Sequence, residues 1–273
     1  MSNTLERLFG LKVFKNGEDF VIWDKPIAEG GFSKVKFALH DARVLACKII
    51  PKNEFIGRIS TESLAKEEIK INQQLDHDGI LKMVKNAEDF DNIYIFTEYE
   101  KNGTVLNLIE KYGKLDENLA LDIFVQLIKV LLYMKQKGIC HRDIKADNLL
   151  IDRFFRIKLC DFGCSEFVDD HNFVHGSRGT PYYMSPECIG DKSDYDGFAS
   201  DAWSCGVLLY HMLVGTYPFK SCSTIDELKN KIQHDECKFP DFINEEVKTL
   251  INWLLEKDPK KRLTLEKAAS FIS

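Results

Sequence analysis

Between His141 and Gly163 the chain strings together His141-Arg142-Asp143-Ile144-Lys145-Ala146-Asp147-Asn148, the apolar run Leu149-Leu150-Ile151, and Asp161-Phe162-Gly163. No other stretch restricts the fold as strongly. Three carboxylates, a lysine and a carboxamide stand in fixed order between short β-prone runs. A site that holds Mg²⁺, a triphosphate and an incoming hydroxyl together needs these groups, so phosphoryl transfer is the chemistry this stretch predicts.

The rest of the chain changes character around it. Leu5, Leu8 and Phe9 lie at helical spacing near the start, and Asn16-Gly17 signals a turn. From Phe20 the pattern is strand-like: Phe20 to Ile22, Val35 to Leu39 and Val44 to Ile50, separated by Gly-Gly and His-Asp breaks that favour an antiparallel sheet. Ser60 to Leu75 predicts a capped helix with the apolar stripe Leu64, Ile71 and Leu75. Glu68 falls on that stripe and points at the sheet, whereas Glu67 is turned about 100° away toward solvent. A buried carboxylate needs a cation, and Lys48 on the preceding strand is the obvious source. Met83 to Phe90 and Ile93 to Tyr99 read as two more strands joined at Asp91-Asn92, and Lys101-Asn102-Gly103 then breaks the pattern. Beyond it the chain is mostly helical, with helices expected over Leu119–Lys137, Trp203–Leu213, Ile225–His234, Glu245–Leu255 and Leu265–Ile272. Trp203–Leu213 is apolar nearly all round, as a helix buried in the middle of a lobe would be.

H-R-D-x-K-x-x-N followed by D-F-G resembles the protein kinase family, serine/threonine branch. The resemblance covers residues 20–273. It implies an α+β, two-lobed fold: a small N-terminal antiparallel sheet with one helix, and a larger, mainly helical C-terminal lobe. Residues 1–19 would form an extension, 20–99 the N-lobe, 98–102 a hinge and 103–273 the C-lobe. In the family's pattern Asp143 takes the proton of the substrate hydroxyl, Lys145 steadies the γ-phosphate, and Thr180 with Lys145 marks the serine/threonine branch. Lys48, held by Glu68, contacts the α- and β-phosphates, and Asn148 and Asp161 ligate Mg²⁺. ATP is then bounded by Ile27, Ala28, Gly30, Gly31, Phe32, Ser33 and Val35, by Ala46 and Leu150, and by the hinge. Thr97 is the small gatekeeper there, and main-chain groups of Glu98 and Glu100 hold the adenine edge. Ala28 and Ser33 depart from G-x-G-x-x-G, in which only Gly30 matches.

Gly179-Thr180-Pro181-Tyr182-Tyr183-Met184-Ser185-Pro186-Glu187 resembles the close of a kinase activation segment and is similar to that of NIMA-related kinases. Glu68-Ile69-Lys70-Ile71-Asn72 and Trp203-Ser204-Cys205-Gly206 look like checkpoint and AMP-activated kinases of the calcium/calmodulin-dependent group. The pattern pairs Glu187 with Arg262 and has Asp201 brace the catalytic stretch. It makes Arg142 the receptor for a loop phosphate, with Ser177 the candidate site. Glu166, however, stands where many members supply a cation, Leu64 occupies the matching helix position, and Gly176 replaces the usual phosphorylated threonine. A small gain from phosphorylation is therefore expected. Thr104 stands where many relatives carry a ribose-binding glutamate, while Asp147 keeps an acid nearby, compatible with basic residues upstream of the target.

Composition removes other classes. A net charge of -6 over 273 residues lacks the basic footprint of a nucleic-acid binder. The longest apolar run, Val207 to Leu213, is far too short for a membrane span. Eight scattered cysteines without a C-x-x-C pair read as reduced thiols in a cytoplasmic or nuclear protein, and Cys160 as a packing residue. His171 and His175 lack the glutamate of H-E-x-x-H, which argues against zinc. The expected function is an ATP- and Mg²⁺-dependent kinase acting on protein serine and threonine in signalling or cell-cycle control, monomeric, with a regulatory partner possible. The alternative is a pseudokinase scaffold without turnover. The sequence stops just after its last helix, so no C-terminal autoinhibitory segment is expected.

Overall fold

A computed structural model describes residues 12–15, 19–31, 33–57, 59–190, 194–220 and 222–272. The amphipathic stretch at Leu5, Leu8 and Phe9, the turn at Asn16-Gly17, and Phe32 lie outside them. The chain divides into two compact units, Met1–Asp76 with Leu81–Glu100, and His77–Ile80 with Lys101–Ser273.

In the first unit, β1 (Lys12–Lys15), β2 (Asp19–Glu29), β3 (Lys34–His40), β4 (Arg43–Pro51), β7 (Met83–Glu88) and β8 (Asn92–Glu98) form one antiparallel sheet in the order β1-β2-β3-β4-β8-β7. A minor hairpin, β5 (Phe55–Ile56) with β6 (Ile59–Ser60), leads into α1 (Thr61–Asn72). The two-residue period of β4 sorts its side chains. Leu45 and Cys47 join Phe20, Ile22, Ala38, Tyr94 and Phe96 on one face. Ile50 meets Ala65 of α1, Ile93 and Ile95 on the other. α1 starts where Ser60 Oγ accepts the Ser63 N–H at 3.2 Å. It stops at Asn72 rather than Leu75, because Gln74 and Leu75 bond back three residues, to Ile71 and Asn72, and tighten the last turn. Its inward face carries Ala65, Glu68 and Ile71, while Leu64 is only partly buried. The β7–β8 turn lies before Asn92, not across Asp91-Asn92, since Asp89 Oδ1 accepts the N–H groups of Asp91 (3.0 Å) and Asn92 (2.8 Å).

The second unit is built on α5 (Gly197–Val214), buried along nearly its whole length. Helices α2 (Val105–Tyr112), α3 (Glu117–Gln136), α4 (Pro186–Ile189), α6 (Ile225–His234), α7 (Glu245–Leu254) and α8 (Leu265–Phe271) complete the helical set. α5 begins six residues before the expected Trp203, because the Asp196 carboxylate caps it through the N–H groups of Phe198 (2.9 Å) and Ala199 (3.0 Å). Gly206 lets α7 approach closely: a Cβ there would sit 2.8 Å from that of Leu254. Three two-stranded ladders of this unit shape its functional end. β10 (Leu149–Ile151) pairs with β11 (Ile157–Leu159), β9 (Ile139–Cys140) with β12 (Glu166–Phe167), and β13 (Phe173–His175) with β14 (Asp194–Asp196), all antiparallel. No helix among the described residues is long and apolar enough to cross a membrane.

Candidate active site

In the first unit, Lys48 sits mid-strand on β4, opposite Val35 on one side and Ile95 on the other. Its Nζ lies 2.8 and 2.9 Å from the two carboxylate oxygens of Glu68, whose side chain is 7% exposed. The pairing follows from two periods. β4 turns Lys48 to the face that α1 covers, and α1 turns Glu68 to that sheet. Ala46 and Thr97 are direct cross-strand partners, both half-buried. Ala28 pairs with Val35, and the Gly30 N–H donates to Ser33 O at 2.8 Å, closing the turn between β2 and β3. Ile27, Ala28, Gly30 and Gly31 are exposed, Ser33 and Val35 half-buried, and a Cβ on Gly31 would meet nothing within 4 Å. The Glu98 N–H bonds Lys82 O at 3.1 Å; Glu98 and Glu100 are both half-buried.

In the second unit, Asp143 is the hub, 6% exposed. Its Oδ1 accepts the Thr180 N–H (2.9 Å) and the Thr180 hydroxyl (2.7 Å); its Oδ2 faces Lys145 Nζ at 2.8 Å and Asn148 Nδ2 at 3.2 Å. Lys145 also donates to Thr180 Oγ1 at 2.8 Å. Burial pulls the Lys145 ammonium down, but Asp143 beside it, with Asp147 and Asp161, leaves it above the usual lysine value and charged. Asn148 spends its amide hydrogens on Asp143, including a 2.8 Å bond to Asp143 O. Its carboxamide oxygen takes no hydrogen bond among the described residues. Asp161 holds an exposed carboxylate on a left-handed backbone, φ +63°. Leu150 lies half-buried on β10.

The backbone carrying these groups is braced from the core. Asp201 on α5 accepts the N–H groups of His141 (2.7 Å) and Arg142 (2.8 Å), while burial pushes its carboxyl up to about 6. His141 is wholly buried, and burial holds it below its ordinary value. The neutral ring with Nδ1 accepting the Asp143 N–H (3.3 Å) and Nε2–H donating to Cys160 O (3.2 Å) satisfies both nitrogens. Gly179 is fixed by sterics: φ is +116° and a Cβ would lie 2.5 Å from Arg142 O. Glu187 and Arg262 form a buried bidentate pair at 2.6 and 2.9 Å. Arg142 donates to Tyr195 Oη (3.1 Å), His175 O (2.9 Å), Gly176 O and the Glu166 carboxylate. Tyr195 was not legible in the sequence, since it belongs to no motif and lies 53 residues away.

Asn148 and Asp161 offer one neutral and one anionic hard oxygen, too few to enclose a metal alone. Among the described residues no group of three or more His, Cys, Asp and Glu side chains could hold one. That donor set fits Mg²⁺, which keeps water and substrate phosphates in its shell.

The protein kinase domain family matches residues 23–271. Among curated relatives, CBL-interacting serine/threonine-protein kinase 15 of Arabidopsis thaliana is 36% identical over 248 residues, covering 89% of this chain and 58% of the relative. CBL-interacting protein kinase 33 of Oryza sativa subsp. japonica is 34% identical over 246 residues, covering 88% and 54%. Probable serine/threonine-protein kinase KCC4 of Saccharomyces cerevisiae is 34% identical over 248 residues, covering 86% and 24%. The chain thus spans little more than half the length of these plant relatives and about a quarter of the yeast one.

Proposed function

Because this chain belongs to the protein kinase family, we propose that it transfers the γ-phosphoryl group of ATP to serine and threonine hydroxyls of protein substrates. The observation that carries the reading is the cluster on Asp143: a buried carboxylate with Lys145, Thr180 and Asn148 all within 3.2 Å. Mg²⁺, when bound, neutralises phosphate charge. Asn148 and Asp161 would hold it, the first through its unused carboxamide oxygen. Asp143 orients the acceptor hydroxyl and receives its proton at the carboxylate. Lys145, kept charged, offsets negative charge on the transferred group, and Thr180 fixes the carboxylate's rotamer. Lys48, oriented by Glu68, binds the α- and β-phosphates. In the first unit, the half-buried face at Val35, Ala46 and Thr97, with Ile27, Ala28, Gly30, Gly31 and Ser33, takes the nucleotide, and main-chain groups of Glu98 and Glu100 take the adenine edge.

Residues 20–99 act as an N-lobe, 98–102 as a hinge and 103–273 as a C-lobe. Exposed Asp147, beside Lys145, supports substrates with basic residues near the target. Thr104 supplies nothing there, since its hydroxyl caps α2 through the Asn107 N–H at 3.2 Å. The names of the plant relatives ascribe an interacting protein to those kinases, which supports a regulatory partner for this chain. Incubating the purified chain with Mg²⁺, labelled ATP and a generic protein substrate, followed by phosphoamino-acid analysis, tests the reading. Phosphoserine or phosphothreonine is expected. ATP binding without turnover would favour the pseudokinase alternative, to which Ala28 and Ser33 in the glycine turn lend support.

A further inference from the structure

α5 carries a titratable side chain that the chemistry above leaves unused. His211, in its last turn, is 4% exposed, and its Nδ1 lies 2.7 Å from the phenolic oxygen of Tyr183. Tyr183 is 2% exposed and comes two residues after Pro181. Its phenolic oxygen accepts the N–H of Ala146 at 3.4 Å, and Ala146 stands between Lys145 and Asn148. A hydrogen-bond chain therefore runs from the central helix, through one phenol, to the backbone of the proposed catalytic segment.

The 2.7 Å contact is met by a neutral His211 ring that accepts from the Tyr183 hydroxyl, an order that burial favours. Burial raises Tyr183 far above the usual phenol value and holds His211 below the usual imidazole value, with Asp147 opposing the latter. Tyr183 O–H then donates to neutral Nδ1, and its oxygen is left to accept from Ala146. The ring of Tyr217 lies 4.5 Å from His211 and stacks on Tyr182 at 4.5 Å and 13°, closing the group from the side. The Ser204 hydroxyl ties Tyr183 O to α5 at 2.8 Å.

We propose that His211 is a positioning residue for phosphoryl transfer, which fixes the backbone of Ala146 through the Tyr183 phenol and thereby the placement of Lys145 and Asn148 about Asp143. The proposal rests on the kinase reading for its kinetic consequence, but not for its structural one. A phenol that loses its acceptor in a buried site must turn to another, here the Tyr217 side chain that also hydrogen-bonds to it, and the Ala146 N–H loses its partner when it does. The segment then samples arrangements in which Lys145 and Asn148 no longer converge, which lowers kcat and leaves nucleotide binding by Lys48 and Glu68 alone.

The test compares the full chain with His211→Phe, Tyr183→Phe, the double variant and His211→Asn, whose carboxamide oxygen replaces Nδ1 as acceptor. Readouts are kcat, KM for ATP, thermal midpoint, and amide exchange of residues 145–148 by mass spectrometry. Each single variant is expected to lower kcat at least tenfold with KM for ATP within threefold. The double variant should be no more than threefold below the weaker single, and His211→Asn should recover at least a third of wild-type kcat. Exchange at 145–148 should quicken in both phenylalanine variants. Single variants within twofold of wild type, multiplicative losses in the double, or His211→Asn no better than His211→Phe would overturn the proposal. If His211→Phe does not fold, Tyr183→Phe carries the test. If wild type shows no turnover, the kinase reading fails, while the exchange comparison still decides whether His211 positions the segment.

Discussion

Glu166 provides the most informative perturbation, because it meets the guanidinium of Arg142, a side chain with no exposed surface. Three further Arg142 hydrogen bonds go to Tyr195 Oη, His175 O and Gly176 O, so acceptors from the chain itself occupy the place where the family pattern puts a loop phosphate. Ser177 Oγ instead lies 3.8 Å from Cys188 Sγ and 4.0 Å from Met184 Sδ. The segment is also held by two short ladders, β9 with β12 and β13 with β14. Removing one partner of a buried ion pair costs about 3–5 kcal/mol. Glu166 is 21% exposed and Arg142 keeps three other acceptors, so the lower figure for a hydrogen bond between charged groups, about 2 kcal/mol, is the better guide. At about 1.4 kcal/mol per tenfold, Glu166→Ala lets the Arg142 side chain, which also holds His175 O and Gly176 O, leave its place up to roughly thirtyfold more often. Hydrogen exchange at Val174 to Gly176 and kcat read this shift. Phosphatase-treated enzyme, verified by intact mass, and Ser177→Ala should by contrast keep at least a tenth of full activity. A hundredfold loss in either preparation, or unchanged exchange in Glu166→Ala, would refute the reasoning.

Asp143→Asn should abolish phosphoryl transfer with little change in ATP affinity, whereas Lys48→Met should impair both, as judged by single-turnover kinetics and nucleotide titration. ATP-competitive inhibitors that fill the space beside Thr97 should bind, and Thr97→Met should weaken them at least tenfold while ATP binding survives; equal affinities would exclude that pocket. His175 Nδ1 lies 2.5 Å from Asp194 Oδ1, and that hydrogen bond raises the imidazole above 6.5. Its support of the β13–β14 ladder is therefore complete below pH 6.5 and is lost as pH rises through the raised value. A titration of the His175 ring by NMR with a midpoint at or below 6.5 would contradict this.

The sequence made some of these contacts legible and hid others, depending on how the partners are supplied. Glu68 was readable because one carboxylate interrupted an apolar stripe and one lysine lay at the right strand position. The period failed only at the edges, where Ala65 rather than Leu64 turned inward and i→i+3 bonds closed the helix before Leu75. Asp143, Lys145 and Asn148 were readable because they lie within six residues of one another, so their geometry is local. α2 escaped notice because it is eight residues long and buries only Val105 and Ile109, which is too little periodicity to register. Two- and three-residue strands such as β9, β12 and β13 have no period at all.

The surroundings of Arg142 and His211 stayed hidden for a different reason. Two of the acceptors around Arg142 are main-chain carbonyls, which no side-chain pattern encodes, and its side-chain partners lie 24 and 53 residues away. His211 sits in a stretch that reads as apolar nearly all round, and there a polar residue looks like an imperfection of the stripe. In a fully buried helix that inference should be inverted. A polar side chain in such a place is destabilising unless a partner satisfies it. Its presence therefore announces a second buried polar group elsewhere in the chain, here the phenol of Tyr183, whose partner in turn is the backbone beside Asn148.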